Sequence, residues 1–104
     1  MITATERPSV ILNERRNEVI HLANNFGIPK VEIFGSVARG EDNLNSDIDF
    51  LVTPNPRNVF SMYRFAKSVR ELLGVQVNVL SKSTQESHAK SAIFINAMKD
   101  AIAL

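Results

Sequence analysis

Cysteine and tryptophan are both absent from this chain of 104 residues. Without cysteine there can be no disulfide and no thiolate metal site, and a reducing compartment is compatible with the sequence. A charge excess is also lacking, because twelve basic and eleven acidic residues leave a net charge of +1. That balance gives no strong attraction to nucleic acid or to an acidic membrane, and neither is an expected partner.

Long hydrophobic runs are missing as well. The most apolar stretch, residues 92–104, is interrupted by polar and charged side chains and is too short to span a bilayer. Residues 1–10 carry no apolar segment of the signal-peptide type. With 44% hydrophobic and 22% charged residues, the composition is that of an ordinary globular protein. We therefore expect a cytoplasmic protein with a single domain over residues 1–104, in which residues 1–8 form a loose tail.

Hydrophobic spacing and turn residues divide the chain into seven elements. The expected helices cover residues 9–25, capped by Ser9, residues 58–73, and a segment opened by the capping-box pair Ser83 and Glu86. The expected strands cover residues 30–34, 46–53, 75–80 and 101–104, and the alternative for residues 101–104 is the tail of the third helix. Tyr63 and the phenylalanines also fall at core-like spacing. The order α-β-β-α-β-α-β, with a compact loop joining two antiparallel strands, predicts an α+β fold with one mixed sheet of about four strands.

A Gly-Ser turn follows the first expected strand. Gly35 lets a backbone approach a phosphate closely. If Ser36 opens a helical turn, its free N–H groups favour an anion, and its hydroxyl adds a hydrogen bond. The alternative is an ordinary turn with a serine cap. Arg39 can neutralise phosphate charge or form a surface ion pair with Glu41 or Asp42. Gly35, Ser36 and Arg39 are thus candidate nucleotide-binding residues.

Two carboxylates lie one residue apart on the second expected strand. Because strand side chains alternate, Asp47 and Asp49 point the same way, with roughly 6–7 Å between their backbones, while Ile48 and Phe50 point into the core. Such a pair can converge on a hard cation such as Mg²⁺. The alternative is a pair of solvated acids on the outer face of a strand, but the nearby Gly-Ser turn favours the metal site.

These two segments carry a family resemblance. Gly-Ser-Val-Ala-Arg-Gly at 35–40, followed by Ser-Asp-Ile-Asp at 46–49, resembles the signature of the polymerase-beta-type nucleotidyltransferases, and the length and element order resemble their minimal branch, the MNT proteins. The resemblance covers nearly the whole chain. It implies the nucleotidyltransferase fold, ATP or another nucleoside triphosphate as substrate, and two magnesium ions. Ser36 would bind the triphosphate, and Asp47 and Asp49 would be the metal ligands.

The resemblance also implies a partner. Many minimal members are encoded with a HEPN-domain protein and resemble antitoxins, and some transfer AMP to a tyrosine of that protein. A HEPN-type partner that presents the acceptor hydroxyl, and an antitoxin role, are therefore expected. Whether the chain forms a homo-oligomer stays open.

One position departs from the family pattern. The family places a third carboxylate on the next strand, and here Asn78 occupies that catalytic position. A neutral amide cannot accept a proton, and losing a general base typically costs about 10²–10⁴-fold in rate. The second magnesium ion loses a charged ligand for the same reason. Three interpretations stay open: a slow enzyme, an enzyme in which another acid such as Glu32 compensates, and a protein that only binds a partner or senses a nucleotide.

Overall fold

The computed structural model of the chain describes residues 6–53, 60–82, 95 and 98–104. Its helices are α1 (Pro8–Glu14), α2 (Arg16–Asn25), α3 (Gly35–Arg39) and α4 (Ser61–Leu73), and its strands are β1 (Lys30–Phe34), β2 (Ile48–Thr53), β3 (Val77–Ser81) and β4 (Ile102–Ala103). The start of the helix predicted from Ser83 and Glu86 lies outside the described residues, and residues 98–100, just before β4, are helical. Among the described residues, no helix has both the length and the apolar character needed to traverse a bilayer.

The four strands form one mixed sheet in the order β3-β2-β1-β4. β1 is antiparallel to both β2 and β4, and β2 is parallel to β3. This confirms the predicted α+β fold with a four-stranded mixed sheet, including the antiparallel first pair. The register sets Phe34 opposite Asp49 and sets Asp49 beside Asn78, so the topology brings the end of β1 and the starts of β2 and β3 together.

The main core lies between the helices and one face of the sheet. Ile48 and Phe50 are fully buried there, as strand alternation predicts. The ring of Phe50 meets the ring of Phe65 edge-on, with 5.7 Å between the centroids. The opposite face carries Asp49, and next to it Leu51, which is fully buried as well. The face of the sheet opposite Asp49 is therefore packed against the helices in the core.

The first predicted helix is two helices in the structure. Arg15 leaves the helical region at φ −112° and ψ 17°, which ends α1 before α2 begins. Ser9 is not the cap, because Arg7 precedes the first turn and Pro8, with its fixed φ, begins it. The backbone N–H of Ser9 instead donates to Asp42 Oδ2 at 2.8 Å. Pro8 is buried and begins α1, so the predicted loose tail of residues 1–8 is wrong at residue 8.

The amphipathic helix α4 ends where the sequence predicts. Gly74 adopts φ 69°, the left-handed conformation that glycine supplies at a helix C-terminus. Ala66, Val69 and Leu73 are buried, as their spacing predicts. Tyr63 is wrongly predicted as a core residue: its side chain is 67% exposed, because it lies on the opposite side of the helix from the buried stripe.

Candidate functional site

Asp49 lies against the Gly-Ser turn. The antiparallel register sets Asp49 opposite Phe34, and Gly35 follows directly with φ +72°. A Cβ atom at Gly35 would approach Asp49 Oδ2 far inside van der Waals contact. Only glycine therefore allows both this backbone conformation and the close approach of the carboxylate. The sequence predicts that glycine is needed here so that the backbone can approach a phosphate. The structure adds a second reason, the close approach of the Asp49 carboxylate.

Asp47, Asp49 and Asn78 come together at one point. Asp47 lies one residue before β2, not within the strand as predicted, and it is exposed, whereas Asp49 is half-buried. The amide nitrogen Nδ2 of Asn78 donates to Asp49 Oδ1 at 3.0 Å and to Asp47 Oδ2 at 3.3 Å. Both carboxylates therefore face the same nitrogen atom, which belongs to the residue that the sequence places at the third position.

The environment of Asp49 disfavours its charge. Burial raises the pKa of the Asp49 carboxyl above its ordinary value, and the neighbouring negative charge of Asp47 raises it further. The hydrogen bond from Asn78 and the positive charge of Arg39 lower this pKa, but the raising effects are larger. A nearby cation would therefore stabilise the ionised form of Asp49.

Arg39 is held by two acids. It donates from Nε to Glu41 Oε2 at 2.9 Å and from Nη1 to Asp100 Oδ2 at 2.5 Å. The pair with Glu41 is one of the ion pairs weighed from the sequence, whereas Asp42 is buried elsewhere and binds the start of α1. The positive charge of Arg39 nevertheless lowers the pKa of the Asp49 carboxyl.

Ser36 is the second residue of α3, so the predicted helical turn is present. The N-cap residue of α3 is Phe34, whose side chain makes no capping hydrogen bond to the first amides of this helix. Gly40, at φ 72°, closes the helix, and the N–H of Glu41 donates to the carbonyl of Ser36 at 2.9 Å. The start of α3 thus lies at the end of β1, on the side where the two aspartates meet.

Glu32 does not replace the third acid. It lies on β1, whereas Asn78 lies on β3 with β2 between them. Glu32 is only 8% exposed, and its Oε1 accepts a hydrogen bond from Lys82 Nζ at 2.5 Å and pairs with Lys30 Nζ at 3.5 Å. Burial raises the pKa of Glu32, but Lys82 and Lys30 together lower it below the ordinary value. This carboxylate is therefore occupied in an ion-pair cluster.

The cluster predicts a pH dependence of stability. Because the pKa of Glu32 is lower in the folded protein, the pair stabilises the fold above about pH 4.5 and this contribution is lost as the pH falls further. We expect Lys82→Met to lower the free energy of unfolding by roughly 3 kcal/mol at pH 7, since it leaves a buried carboxylate without its main partner. Urea denaturation at pH 7 and at pH 3.5 measures this, and the loss should be much smaller at the lower pH. An equal loss at both values would contradict the assignment.

Gly35 and Gly40 allow a matched comparison, because both have φ +72°. They differ in their surroundings: a Cβ atom at Gly40 would meet nothing within 4 Å, whereas one at Gly35 would meet Asp49. Alanine at either position should cost about 1–2 kcal/mol through the left-handed backbone alone. We expect Gly35→Ala to cost at least about 1 kcal/mol more than Gly40→Ala, because its methyl group displaces the Asp49 carboxylate. Thermal or urea unfolding of both variants gives the difference directly, and equal costs would show that the carboxylate moves aside freely.

The donor set fits one hard cation. Two carboxylates converge on one point, and carboxylate and amide oxygens are ligands that Mg²⁺ accepts. Within the described residues, no cluster of three or more acidic, histidine or cysteine side chains is placed to hold a metal. Asp47 and Asp49 would hold a single Mg²⁺ that takes its remaining oxygen ligands from water or from nucleotide phosphates.

Two contacts of this region carry no signal in the sequence. Asp100 reaches Arg39 from the segment that leads into β4, and Lys82 reaches Glu32 from the end of β3. Both pairs join residues at least 50 positions apart, so only the strand order brings them together.

Known proteins resemble this chain along most of its length. Residues 13–103 match the family model described as nucleotidyltransferase domain. The protein adenylyltransferase MntA of Thermococcus cleftensis is 30% identical over 90 residues, which cover 84% of this chain and 85% of that protein. A Methanocaldococcus jannaschii protein named as a candidate protein adenylyltransferase is 31% identical over 88 residues, covering 84% and 95% of the two chains.

Solved structures show the same fold. One described as a candidate minimal nucleotidyltransferase superposes with a TM-score of 0.76 at 31% identity, covering 97% of this chain and all of the other. A toxin-antitoxin structure with AMP-PNP superposes with a TM-score of 0.62 at 19% identity, covering 84% of this chain and 69% of the other. The second likeness is one of fold alone.

Proposed function

Because the chain belongs to the nucleotidyltransferase domain family, we propose that it transfers AMP from ATP to a hydroxyl group of a partner protein, with Mg²⁺ as cofactor. The observation that carries this proposal is the convergence of Asp47 and Asp49 beside Gly35, at the start of α3. Nucleotidyl transfer needs a place for the triphosphate and a place for a cation next to each other, and this end of the sheet supplies both.

In the proposed reaction, the acceptor hydroxyl oxygen forms a bond to the α-phosphorus of ATP. The bond from that phosphorus to the bridging oxygen breaks, pyrophosphate leaves, and the hydroxyl proton is released. Ser36 and the first amides of α3 bind the triphosphate, and Arg39 offers positive charge to it after exchanging one of its acidic partners for phosphate. Asp47 and Asp49 bind Mg²⁺, which supplies Lewis-acid stabilisation of the phosphoryl oxygens.

The partner is proposed to be a HEPN-type protein, for which this chain acts as the antitoxin. A domain of 104 residues has little room for an acceptor pocket of its own. Relatives named protein adenylyltransferase support a protein acceptor. A substrate such as ATP and a chain without cysteine are both compatible with the cytoplasm, where we place this activity.

The test uses ATP labelled in the α-phosphate, Mg²⁺ and a HEPN-type protein as the candidate partner. We expect label on the partner, and we expect it to disappear in Asp47→Ala while Glu14→Gln, which neutralises an exposed acid of α1, keeps it. Absence of transfer with wild-type protein, together with a complex that survives in Asp47→Ala, would overturn the enzymatic proposal.

That outcome would favour a second function, partner binding or nucleotide sensing without turnover. The observation in its favour is Asn78, which occupies the third position with a group that cannot accept a proton. Calorimetry with several nucleoside triphosphates separates the two forms of this alternative, since a sensor binds one of them in a Mg²⁺-dependent way.

A further inference from the structure

We infer that Asn78 is a positioning residue that stands in for the cation. Its amide holds Asp47 and Asp49 together in the metal-free protein, and these hydrogen bonds are given up when a divalent cation binds. The inference rests on the proposed function, because it concerns the same carboxylate pair. It goes further by stating what holds the two carboxylates together before a cation binds and what limits their affinity for a cation.

The chemistry of the contact fixes the orientation of the amide. Asn78 faces two carboxylate oxygens, at 3.0 Å on Asp49 and 3.3 Å on Asp47. Carboxylates only accept hydrogen bonds, so the NH₂ group must point at them, and the amide oxygen would be repelled in that position. One nitrogen with two N–H groups thus sits between two negative charges, where a cation would otherwise be needed.

The same contact explains how the carboxylates of Asp47 and Asp49 can lie so close together. Asp47 and Asp49 place two carboxylates against one nitrogen atom, and the two N–H groups of that nitrogen offset the repulsion between them. A third carboxylate at this position would add a negative charge where the structure has a donor. The metal-free protein should therefore be more stable with asparagine than with aspartate at residue 78.

A thermodynamic consequence follows for cation binding. Hydrogen bonds that exist only in the metal-free protein stabilise that state and so weaken the binding of the cation that replaces them. Removing the amide destabilises the metal-free state without affecting the metal-bound state by the same amount. Because Asn78 is exposed, no packing has to change when its side chain is shortened or turns away.

The experiment measures Mn²⁺ binding by calorimetry, without nucleotide, in the full-length chain. For Asn78→Ala we expect about fivefold tighter Mn²⁺ binding and a lower melting temperature without metal, but nearly the wild-type melting temperature at saturating Mn²⁺. The control is Gln76→Ala, which removes an exposed amide two residues earlier on the same segment and should change none of these values. In a titration with Mg²⁺, the side-chain NH₂ resonances of Asn78 should shift while those of Gln76 stay in place.

Two results would overturn the inference in distinguishable ways. If wild-type protein binds Mn²⁺ but Asn78→Ala binds it equally or more weakly, the amide does not compete with the cation and the inference fails while the proposed metal site stands. If neither wild type nor the variants bind Mn²⁺ at millimolar concentration, the metal site itself is wrong and the inference falls with it.

Discussion

Replacing Asp49 with asparagine is expected to abolish transfer and, in the same variant, to raise the melting temperature of the metal-free protein. The loss of activity should be roughly 10³-fold, because a cation that stabilises transition-state charge contributes several kcal/mol and Asp49 is one of the two carboxylate ligands proposed for it. Such opposite effects on activity and stability are typical of residues that are placed for function at a cost to the fold.

The gain in stability follows from the direction of the pKa shift. Burial and the charge of Asp47 raise the pKa of Asp49, so the folded protein favours the protonated form more than the unfolded chain does. The resulting contribution to stability is present at low pH and is lost as the pH rises through the raised pKa. At neutral pH an ionised Asp49 therefore costs stability, and a neutral amide of the same shape removes that cost.

Differential scanning fluorimetry at pH 7 with and without Mg²⁺, beside the label-transfer assay, checks both halves of this expectation. The control Glu14→Gln neutralises an exposed acid and should change neither quantity. Mg²⁺ should raise the melting temperature of wild-type protein and leave that of Asp49→Asn unchanged. A variant that loses stability in the absence of metal would show that the Asp49 carboxylate is a structural group.

Local sequence patterns predicted the parts of the fold that depend on local chemistry. Lys30–Phe34 was predicted to the residue, because alternation and the following glycine define both the strand and its end. The position of Gly74 fixed the end of α4 for a similar reason. The direction of Asn78 was also predictable, since period-two alternation on β3 puts it on the polar face with Asp49.

What local patterns could not predict depends on chain topology. The break at Arg15 separates two helices whose apolar positions are nearly continuous in the sequence, and only tertiary packing decides where the chain turns. The sequence alone allows Glu32 as a substitute acid because it does not fix the strand order, and the order β3-β2-β1 separates Glu32 from Asn78. Asp100 contacts Arg39 because β4 pairs with β1, and no local pattern in the sequence predicts that pairing.

Restoring a carboxylate by Asn78→Asp is expected to raise the rate of transfer by about 10²-fold at saturating Mg²⁺. The new side chain would lie where Asn78 already faces Asp47 and Asp49, and it could both accept the proton of the attacking hydroxyl and offer a further oxygen to a cation. General-base catalysis contributes about 10²–10⁴-fold. We expect the lower value here because the neighbouring Asp47 and Asp49 are arranged to accept hydrogen bonds from an amide at residue 78.

The same substitution should lower stability when Mg²⁺ is withheld, since three carboxylates then share one point without a donor between them. A single variant thus tests two properties with opposite signs: a faster reaction with metal and a weaker fold without it. Gln76→Asp is the matched control, because it adds the same charge to the same segment two residues away. If Gln76→Asp accelerates transfer as much as Asn78→Asp does, the gain comes from charge in general. If neither changes the rate, residue 78 is not the position at which the reaction is limited.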